Sequence, residues 1–501
     1  MAYIGAEPVP GQNREVDDIS SSFNGSTTAF TLQVSSVNVS PESANNIIVS
    51  LGGVIQNPGT DYTIAASTIT FTTAPASGLS FFGLLLGAGI NTATVADQVI
   101  TNAKVSNSAA IAGSKISPDF GSQTIATTGT VNTPSIGGGQ IGNRNLVVNG
   151  AMNIAQRNGL SNALANGIHV VDRFSLSSIG VDGSPTQSQS DVAVGTTPYT
   201  LGFRKAFKAT NGNQTSGAGA GDSMQMQTRL EAQDIATSGW NYTSSSSFVT
   251  LSFWGKSSVA QNFFGYILVS DGTSQRYPFE TGSLTANTWT KVTKTIPGNS
   301  NLQFDNNNEV GMRIFWQMFQ GTDFTDSGVT LNAWGAYGSG ANRTPENTST
   351  WYTTNDATYE LTGVQLEVGS VATDFEHRSF GDDLAQCQRY FVLFKGDVTA
   401  FRMGVGMSTG QTNGLLLIHL PITMRTKPTA ILTTGTASDY QVHFTSVVDC
   451  SAVPTVHSQS TPTIARVDLT VPSSTFAGAG DNFFLFRAKT TDCFIGLESE
   501  V

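Results

Sequence analysis

Along most of this 501-residue chain, hydrophobic residues alternate with Thr, Ser and Asn. In the run at residues 246–258, for example, Val249 and Leu251 alternate with Thr250 and Ser252. A period of two residues is typical of a β-strand with one buried face. Similar short runs recur along the chain, and Gly, Pro and Asn separate them as turn residues. The pattern therefore predicts an all-β protein.

The spacing of strands and turns divides the chain into four parts. Residues 1–90 predict a small β-sandwich, and residues 143–380, with eight or more strands, predict a larger sandwich or jelly roll. Residues 381–501 predict a short helix followed by a final β-domain. Residues 91–142 connect the first sandwich to the second.

Some of the expected elements have specific bounds. We expect a strand over Ile47–Leu51, an apolar strand at residues 146–148 that opens the larger sandwich, and another strand at residues 329–338. The segment at residues 382–394 predicts a short helix that runs into a strand. Its first turn carries two acidic residues, which suit the positive end of a helix dipole.

The connecting segment, residues 91–142, is polar and carries single aliphatic residues at intervals. Its apolar content is too small for one chain to offset the entropy of ordering. Three copies wound together would shelter these side chains from water, as a coiled coil or as intertwined β-strands; the alternative is a disordered linker. The residues expected to face the axis of such a trimeric shaft are Val95, Val99, Ile111, Ile116 and Ile125.

Composition narrows the classes of partner. Only 12% of residues are charged, and 36 acidic against 25 basic residues give a net charge of −11. Nucleic-acid binding requires concentrated positive charge, so it is disfavoured. The longest apolar run, residues 79–89, is about half the length that spans a bilayer. The first twelve residues lack the features of a secretion signal, so we expect no membrane insertion.

The cysteine and histidine content predicts neither metal nor cofactor chemistry. Cys387, Cys450 and Cys493 form no CxxC pair and are expected to be buried thiols, which suits synthesis in a reducing cytoplasm. The five histidines have no spacing typical of metal ligands. No glycine-rich phosphate loop lies between a strand and a helix, so we expect no cofactor.

Aromatic residues are the candidate binding groups. All six tryptophans lie between residues 240 and 351. Aromatic rings stack on sugar rings, and amides or carboxylates bind sugar hydroxyls. Two pairs lie in turn-rich segments and are the candidates for exposure to a carbohydrate: Trp240 with Tyr242, and Trp351 with Tyr352. Each of these rings taken singly is more typical of core packing.

A charged cluster follows the last strand of the larger sandwich. Asp374, Glu376, His377 and Arg378 are close in sequence. A pair of carboxylates is the arrangement of a glycosidase. The favoured interpretation is structural: the cluster fixes the sandwich against the short helix or against a neighbouring chain, and Gln365, Glu367 and Arg389 are interpreted in the same way.

These residues also carry a resemblance. Gln-Leu-Glu at 365–367, Ala-Thr-Asp-Phe-Glu at 372–376 and Cys-Gln-Arg-Tyr at 387–390 resemble a module of bacteriophage tail fibres. With "NLVVNGAMNIAQR" upstream and the C-terminal β-domain downstream, the resemblance covers residues 143–501. The module is similar to carbohydrate-binding jelly rolls.

The N-terminal half extends the resemblance. Residues 47–78 resemble a virion-attachment β-domain, and residues 110–129 resemble the fibre shaft of phages that infect marine cyanobacteria. The resemblance implies a homotrimeric tail fibre that is made in the host cytoplasm and becomes part of the virion. Residues 1–90 would bind a tail adaptor or tail tube protein. The distal β-domains would recognise a host glycan or lipopolysaccharide without being an enzyme.

Two alternatives remain open at this point. A polysaccharide depolymerase spike is one, although such spikes carry long parallel β-helices and no repeat of that kind is present. The other is a purely architectural tail or collar fibre with no receptor contact.

Overall fold

The computed structural model describes residues 13–86, 143–160, 167, 169–338, 340–473 and 475–500. The chain divides into two compact units, Met1–Gly129 and Thr130–Val501. The predicted shaft residues Val95, Val99, Ile111, Ile116 and Ile125 lie outside the described ranges. Every sheet in the described residues is antiparallel, so the all-β prediction is confirmed.

The N-terminal unit is a β-sandwich, as predicted. A four-stranded sheet in the order β1-β9-β5-β6 and a three-stranded sheet in the order β2-β8-β7 enclose one core. A Gly52–Gly53 turn with two positive φ angles joins β5 to β6, where a left-handed backbone favours glycine. The strands are β1 Arg14–Val16, β2 Ala29–Thr31, β3 Gln33–Val34, β4 Val37–Asn38, β5 Ile47–Leu51, β6 Val54–Ile55, β7 Tyr62–Ala65, β8 Thr68–Phe71 and β9 Phe81–Leu85.

The larger sandwich places a six-stranded sheet against a five-stranded sheet. Their orders are β10-β13-β18-β15-β16-β19 and β11-β12-β20-β14-β17. The elements are β10 Phe174–Ile179, β11 Thr186–Asp191, α1 Thr197–Thr200, β12 Lys205–Thr210, β13 Ser223–Glu231, α2 Ala232–Ala236, β14 Phe248–Ser257, β15 Gln261–Val269, β16 Gln275–Leu284, β17 Thr290–Pro297, β18 Val310–Gln320, β19 Gly335–Ala336 and β20 Thr358–Val368.

The alternation of the sequence determines which side chains enter the core between these sheets. Val249, Leu251 and Phe253 of β14 are fully buried there, together with Leu361 and Leu366 of β20. The alternate residues of each strand face outward, because successive side chains of a strand point to opposite faces. The five-stranded sheet therefore has an outer face whose side chains point away from this core.

Two predicted strands are wrong in extent. Residues 146–148 form no strand, although the Leu146 amide donates a hydrogen bond to the Leu366 carbonyl at 2.9 Å. Residues 329–338 contain only the two-residue strand Gly335–Ala336. In both segments, apolar side chains pack against a neighbouring sheet while the backbone turns, so hydrophobic content alone does not identify a strand.

The C-terminal region begins with the predicted helix and continues as two sheets. The helix begins two residues earlier than predicted and ends before the strand, and the Ser379 hydroxyl caps it by accepting from the Asp382 amide at 3.2 Å. The sheet orders are β21-β30-β24 and β26-β25-β29-β22-β23-β28-β27. The elements are α3 Phe380–Gln388, β21 Phe391–Lys395, β22 Arg402–Thr409, β23 Asn413–His419, β24 Ala430–Thr433, β25 Tyr440–His443, β26 Val447–Asp449, β27 Ala452–Val456, β28 Ile464–Thr470, β29 Ala479–Ala488 and β30 Phe494–Glu498.

The three cysteines are free and buried, as the sequence predicts. Burial raises the pKa of the Cys450 and Cys493 thiols to about 12. These thiols are therefore protonated at neutral pH and pack as small apolar groups.

Candidate functional site

The aromatic pairs predicted to be exposed are instead mostly buried. Trp351 and Tyr352 are 0% exposed and Trp240 is 3% exposed. Tyr242 is half-buried and packs edge-on against Phe304, with ring centroids 4.9 Å apart. The prediction of exposure is wrong for Trp240, Trp351 and Tyr352, and for the half-buried Tyr242 it stays a prediction. Turn-rich sequence places the backbone at the surface, but it does not determine whether a ring folds under the turn.

The charged cluster after β20 holds the chain against the five-stranded sheet. The Gln365 side chain accepts a hydrogen bond from the Glu376 amide at 2.8 Å, and it donates to the Glu367 carboxylate at 2.9 Å. Glu367 also accepts from the Thr373 amide at 2.9 Å. Gln365 and Glu367 are almost fully buried. The Arg378 guanidinium extends the cluster to the short helix, where it donates to the Gln386 side chain at 2.8 Å.

Glu376 is a second carboxylate of this cluster that hydrogen bonds hold in place. It accepts from the Asn145 amide at 2.9 Å and from Arg378 at 3.0 Å. Burial works to raise the pKa of the Glu376 carboxyl, but these hydrogen bonds and the Arg378 charge outweigh it and hold the pKa below its usual value. A carboxylate held in the ionised form is poorly suited to the role of a general acid.

A cleft opens beside this cluster, on the outer face of the five-stranded sheet. We call it the aromatic cleft. Its volume is about 220 Å³, below the roughly 300–1,000 Å³ of sites that enclose whole drug-sized ligands. It therefore fits a single ring-sized group. The lining residues are Leu201, Phe203, Ser252, Trp254, Lys291, Gly363, Thr373, Asp374, Phe375 and His377.

A β-bulge lies in the sheet beside Trp254. Ser252 pairs with Gln365 and Trp254 pairs with Thr362, so one residue of β14 opposes two residues of β20. Gly363 lies in the bulge with φ +62°. A glycine in the left-handed region is typical of such a bulge, and bulges reorient nearby side chains. The side chain of Trp254 is half-buried on the outer face.

The wall opposite Trp254 consists of packed rings. Phe203 packs edge-on against Phe375 at 4.9 Å between centroids, and its ring lies 5.2 Å from that of His377. The His377 Nε2 atom lies 2.8 Å from the Leu201 carbonyl oxygen, which ties two segments of the wall together. Asp374, His377 and Lys291 are exposed and supply polar groups around the rings.

A second tryptophan lies along the same face. The register of β14 with β17 pairs Trp254 with Lys291. On the same outer face, the Lys256 ammonium lies 5.0 Å from the centre of the Trp289 ring, a cation–π distance, and 2.8 Å from the Glu360 carboxylate. Aromatic and charged side chains therefore alternate across β14 and β17 beside the aromatic cleft.

No protein-family model and no curated protein matches the chain. Among solved structures, it is similar to tailspike protein 4 of bacteriophage CBA120 at 12% identity and a TM-score of 0.25, over 45% of this chain and 21% of that one. It is similar to the family 11 carbohydrate-binding module of Clostridium thermocellum at 10% identity and a TM-score of 0.19, over 42% and 97% of the two chains.

A third similar structure is the tandem CBM22 domain of Paenibacillus barcinonensis Xyn10C, at 10% identity and a TM-score of 0.19, over 65% of this chain and 93% of that one. The similarity to tailspike protein 4 covers about a fifth of the length of that protein's chain. Similarities with TM-scores of 0.25 or less carry no functional argument. The aromatic cleft is assigned on its own geometry.

Trp254 is not among the predicted binding residues, although the pattern of β14 marks it. In β14 the residues that alternate with the buried Val249 and Leu251 are Thr250, Ser252 and then Trp254. A tryptophan on that side of the strand points away from the core between the two sheets, and it packs partly against a small outer cluster that includes Phe203. That position, rather than membership of a turn, is the feature that marks an accessible ring.

The described residues contain no group of three or more His, Cys, Asp or Glu side chains arranged to hold a metal ion. In the same part of the chain, no helix has both the length and the apolar character needed to cross a bilayer. The rings and polar groups that line the aromatic cleft offer stacking, hydrogen bonding and charge.

Proposed function

We propose that the chain is a homotrimeric bacteriophage tail-fibre protein that binds a sugar of the host cell surface in the aromatic cleft. The tail-fibre assignment is supported by the motif at residues 365–367, 372–376 and 387–390. The cleft supports the binding role, because it combines accessible rings with exposed polar groups. By this proposal, residues 1–90 attach the fibre to a tail adaptor or tail tube protein in the virion.

The observation that carries the binding role is the position of Trp254. Its ring is half-buried on an outer face, it lines a cavity, and Ser252, Lys291 and Asp374 lie beside it. An indole presents a flat apolar surface for the C–H groups of a pyranose, while the polar neighbours reach its hydroxyls. A cleft of this size holds one sugar ring weakly, and three copies in a trimer would raise the avidity.

We propose a binding protein rather than an enzyme. Of the two carboxylates that a glycosidase would use, Asp374 and Glu376, the second is committed to hydrogen bonds with Asn145 and Arg378. By the proposal, the fibre retains the glycan and leaves it intact. The proposed place of the protein is the tail of the virion, after synthesis in the host cytoplasm.

The proposal is tested by changing Trp254 in the full chain. We expect Trp254→Ala to weaken binding to purified host surface polysaccharide at least tenfold, because a central aromatic contact is worth about 1.4 kcal/mol or more. Trp254→Phe keeps a stacking ring and should retain most of the affinity. The measurement is biolayer interferometry on immobilised polysaccharide.

The matched control is Thr293→Ala, which changes an exposed residue of β17 outside the cleft. It should bind like the parent chain. Equal binding by Trp254→Ala and the parent would exclude the cleft as the glycan site. Release of new reducing ends from the polysaccharide would instead favour the depolymerase alternative.

A further inference from the structure

A second cleft lies in the same compact unit as the aromatic cleft, where α2 and the C-terminal end of α3 meet the chain at residues 143–148. Its volume is about 510 Å³, within the range of roughly 300–1,000 Å³ that is typical of small-molecule sites. Among the described residues, the two clefts share no lining residue. We call it the polar cleft, and the lining residues that bear on its chemistry are Leu146, Val148, Gln233, Asp234, Gln386 and Arg389.

The charged cluster after β20 supplies a wall to each cleft. His377 lines the aromatic cleft, and the next residue, Arg378, lines the polar cleft. Arg378 is held in place because it donates to the Asn145 carbonyl at 2.6 Å and to the Gln386 side chain at 2.8 Å. The segment between the two clefts is therefore braced against both residues 143–148 and α3.

The two arginines of the polar cleft are each paired with a carboxylate. Arg378 lies 3.0 Å from Glu376. Arg389 contacts Glu231 through two nitrogens, each at 2.8 Å. Both guanidinium charges are therefore compensated within the protein, and they provide no excess positive charge for an acidic ligand.

Asp234 adds a carboxylate that is not paired in this way. It belongs to α2 and is exposed, and within the described ranges its carboxylate has neither an ion pair nor a hydrogen bond. An ionised carboxylate only accepts hydrogen bonds, and its two oxygens have about four lone-pair sites. Asp234 therefore attracts hydrogen-bond donors and repels an anion.

Unused donors lie in the same cleft. The Gln386 oxygen accepts from Arg378, and the Gln386 amide nitrogen has no partner in the part of the chain that the structure describes. Arg389 contacts Glu231 through Nε and Nη2, so its Nη1 atom takes no part in that pair. The Gln233 nitrogen donates to Glu231 at 2.6 Å, which leaves the Gln233 oxygen as a further acceptor.

We propose that the polar cleft is a second carbohydrate site and that it takes a neutral pyranose. A sugar hydroxyl both donates and accepts, so neighbouring hydroxyls of one ring can donate to Asp234 and accept from Gln386 and Arg389. Leu146 and Val148 are half-buried and offer an apolar contact to the C–H groups of the ring. This site goes beyond the proposed function and does not require that the aromatic cleft bind a sugar.

Charged ligands match the polar cleft less well. An acidic sugar meets the Asp234 carboxylate, while both arginines already have their counter-ions. An amine pairs with Asp234 but faces the N–H groups of Gln386 and Arg389, which need acceptors. A neutral sugar satisfies both kinds of group. Two sites on one chain that hold the same polysaccharide would also raise its avidity without any further contact.

The test is saturation-transfer difference NMR on the full chain that carries Trp254→Ala, because this change removes the stacking ring of the aromatic cleft. The probes are the neutral sugars D-glucose, D-galactose, D-mannose and L-rhamnose and the charged sugars D-glucuronate and D-glucosamine. We expect saturation transfer to at least one neutral sugar and less transfer to the charged sugars. Adding Asp234→Ala should raise the dissociation constant of that neutral sugar at least about tenfold, since hydrogen bonds to an ionised acceptor are the strong ones.

Asp323→Ala is the matched control, because Asp323 is an exposed aspartate outside both clefts. Added to Trp254→Ala, it should leave the dissociation constant unchanged. Thermal unfolding should give the same melting temperature for the Asp234→Ala and Asp323→Ala chains, since both side chains are exposed.

Four results would overturn the second site. Transfer in the parent chain but not in the Trp254→Ala chain assigns the sugar to the aromatic cleft alone. Transfer that Asp234→Ala does not weaken places the sugar elsewhere, transfer only to charged sugars contradicts the neutral class, and no transfer to any probe contradicts the site itself. The aromatic cleft is judged separately, by the effect of Trp254→Ala on polysaccharide binding.

Discussion

At the scale of single residues, Gly363 determines how the aromatic cleft is built. A Cβ atom at this position would lie 2.7 Å from Phe203 Cζ and 3.0 Å from Trp254 Cδ1. The positive φ of +62° adds a conformational penalty for any other residue. The positions of the Phe203 and Trp254 rings therefore require that residue 363 has no side chain.

The corresponding prediction concerns Gly363→Ala. We expect a loss of about 2–4 kcal/mol in the free energy of unfolding, since left-handed strain adds to overpacking. We also expect weaker glycan binding, because Trp254 and Phe203 must move apart. Urea denaturation and the polysaccharide assay measure the two effects.

Gly195→Ala is the matched control. Gly195 has φ +85° but nothing within 4 Å of an added Cβ. It isolates the backbone penalty, which we expect to be about 1–2 kcal/mol, and it should leave binding unchanged. Equal losses of stability in the two variants would show that the contact with Phe203 and Trp254 is unimportant.

At the scale of elements, a buried ion pair joins the end of α3 to the end of β13. The Arg389 guanidinium contacts the Glu231 carboxylate through two nitrogens, each at 2.8 Å, and the Tyr390 hydroxyl donates to the same carboxylate at 2.6 Å. Glu231 is 0% exposed. Burial works to raise its pKa, but these hydrogen bonds and the Arg389 charge hold it below the usual value. The pair couples the helix to the six-stranded sheet.

We predict that Arg389→Met destabilises the fold by about 3–5 kcal/mol, because it leaves a buried carboxylate without its counter-ion. Lys205→Met is the control. It removes an exposed pair with Asp191, in which the Lys205 nitrogen lies 2.6 Å from the carboxylate and the Asp191 side chain is 81% exposed. An exposed pair contributes about 0–1 kcal/mol. The measurement is thermal unfolding, and similar melting temperatures for the two variants would contradict the prediction.

At the scale of the second compact unit, a buried ionic cluster joins the C-terminal β-sheets to the larger sandwich. The Glu500 carboxylate contacts Arg173, lies 3.4 Å from Arg157 and lies 3.6 Å from His169 Nδ1. The arginines and His169 overcome the effect of burial and lower the pKa of Glu500 to about 2. Burial is the main cause that lowers the pKa of His169 to about 3, so its ring is neutral at neutral pH.

These groups predict a particular pH profile of stability. His169, with its folded pKa below 6.5, loses stabilisation as the pH falls from 6.5 to about 3, and Glu500 does so from 4.5 to about 2. Burial raises the pKa of Asp172 to about 6, so that group opposes the loss between pH 6 and 3.8. Between pH 6 and 4.5, the contributions of His169 and Asp172 to the free energy of unfolding cancel. The steepest loss of stability from these three groups is expected between pH 3.8 and 3, because His169 and Glu500 both lose stabilisation there and Asp172 no longer opposes them.

His169→Gln removes the group whose titration offsets that of Asp172. Of the three groups, only Asp172 then contributes between pH 6 and 4.5, so on acidification across that window we expect the variant to gain about 2 kcal/mol in the free energy of unfolding relative to the parent chain. Urea titrations at pH 6 and pH 4.5 measure the difference. His419→Gln changes an exposed histidine and should follow the parent profile. A His169→Gln profile parallel to the parent would contradict the assignment.

Local sequence patterns were enough to predict the fold class and the two faces of the strands. Alternation placed Val249, Leu251 and Phe253 in the core, because a strand has only two faces and water is excluded from one of them. It also identified the buried cysteines and the helix that begins near Asp382. These features are local, since each depends on residues a few positions apart.

Only the folded chain shows which rings are covered. Trp351 and Tyr352 lie in a polar turn yet are covered by distant parts of the sandwich, whereas Trp254 keeps the outward direction that the alternation of β14 gives it and lines an open cleft. Accessibility depends on what packs over a residue, and that is fixed by long-range strand pairing rather than by neighbours in sequence.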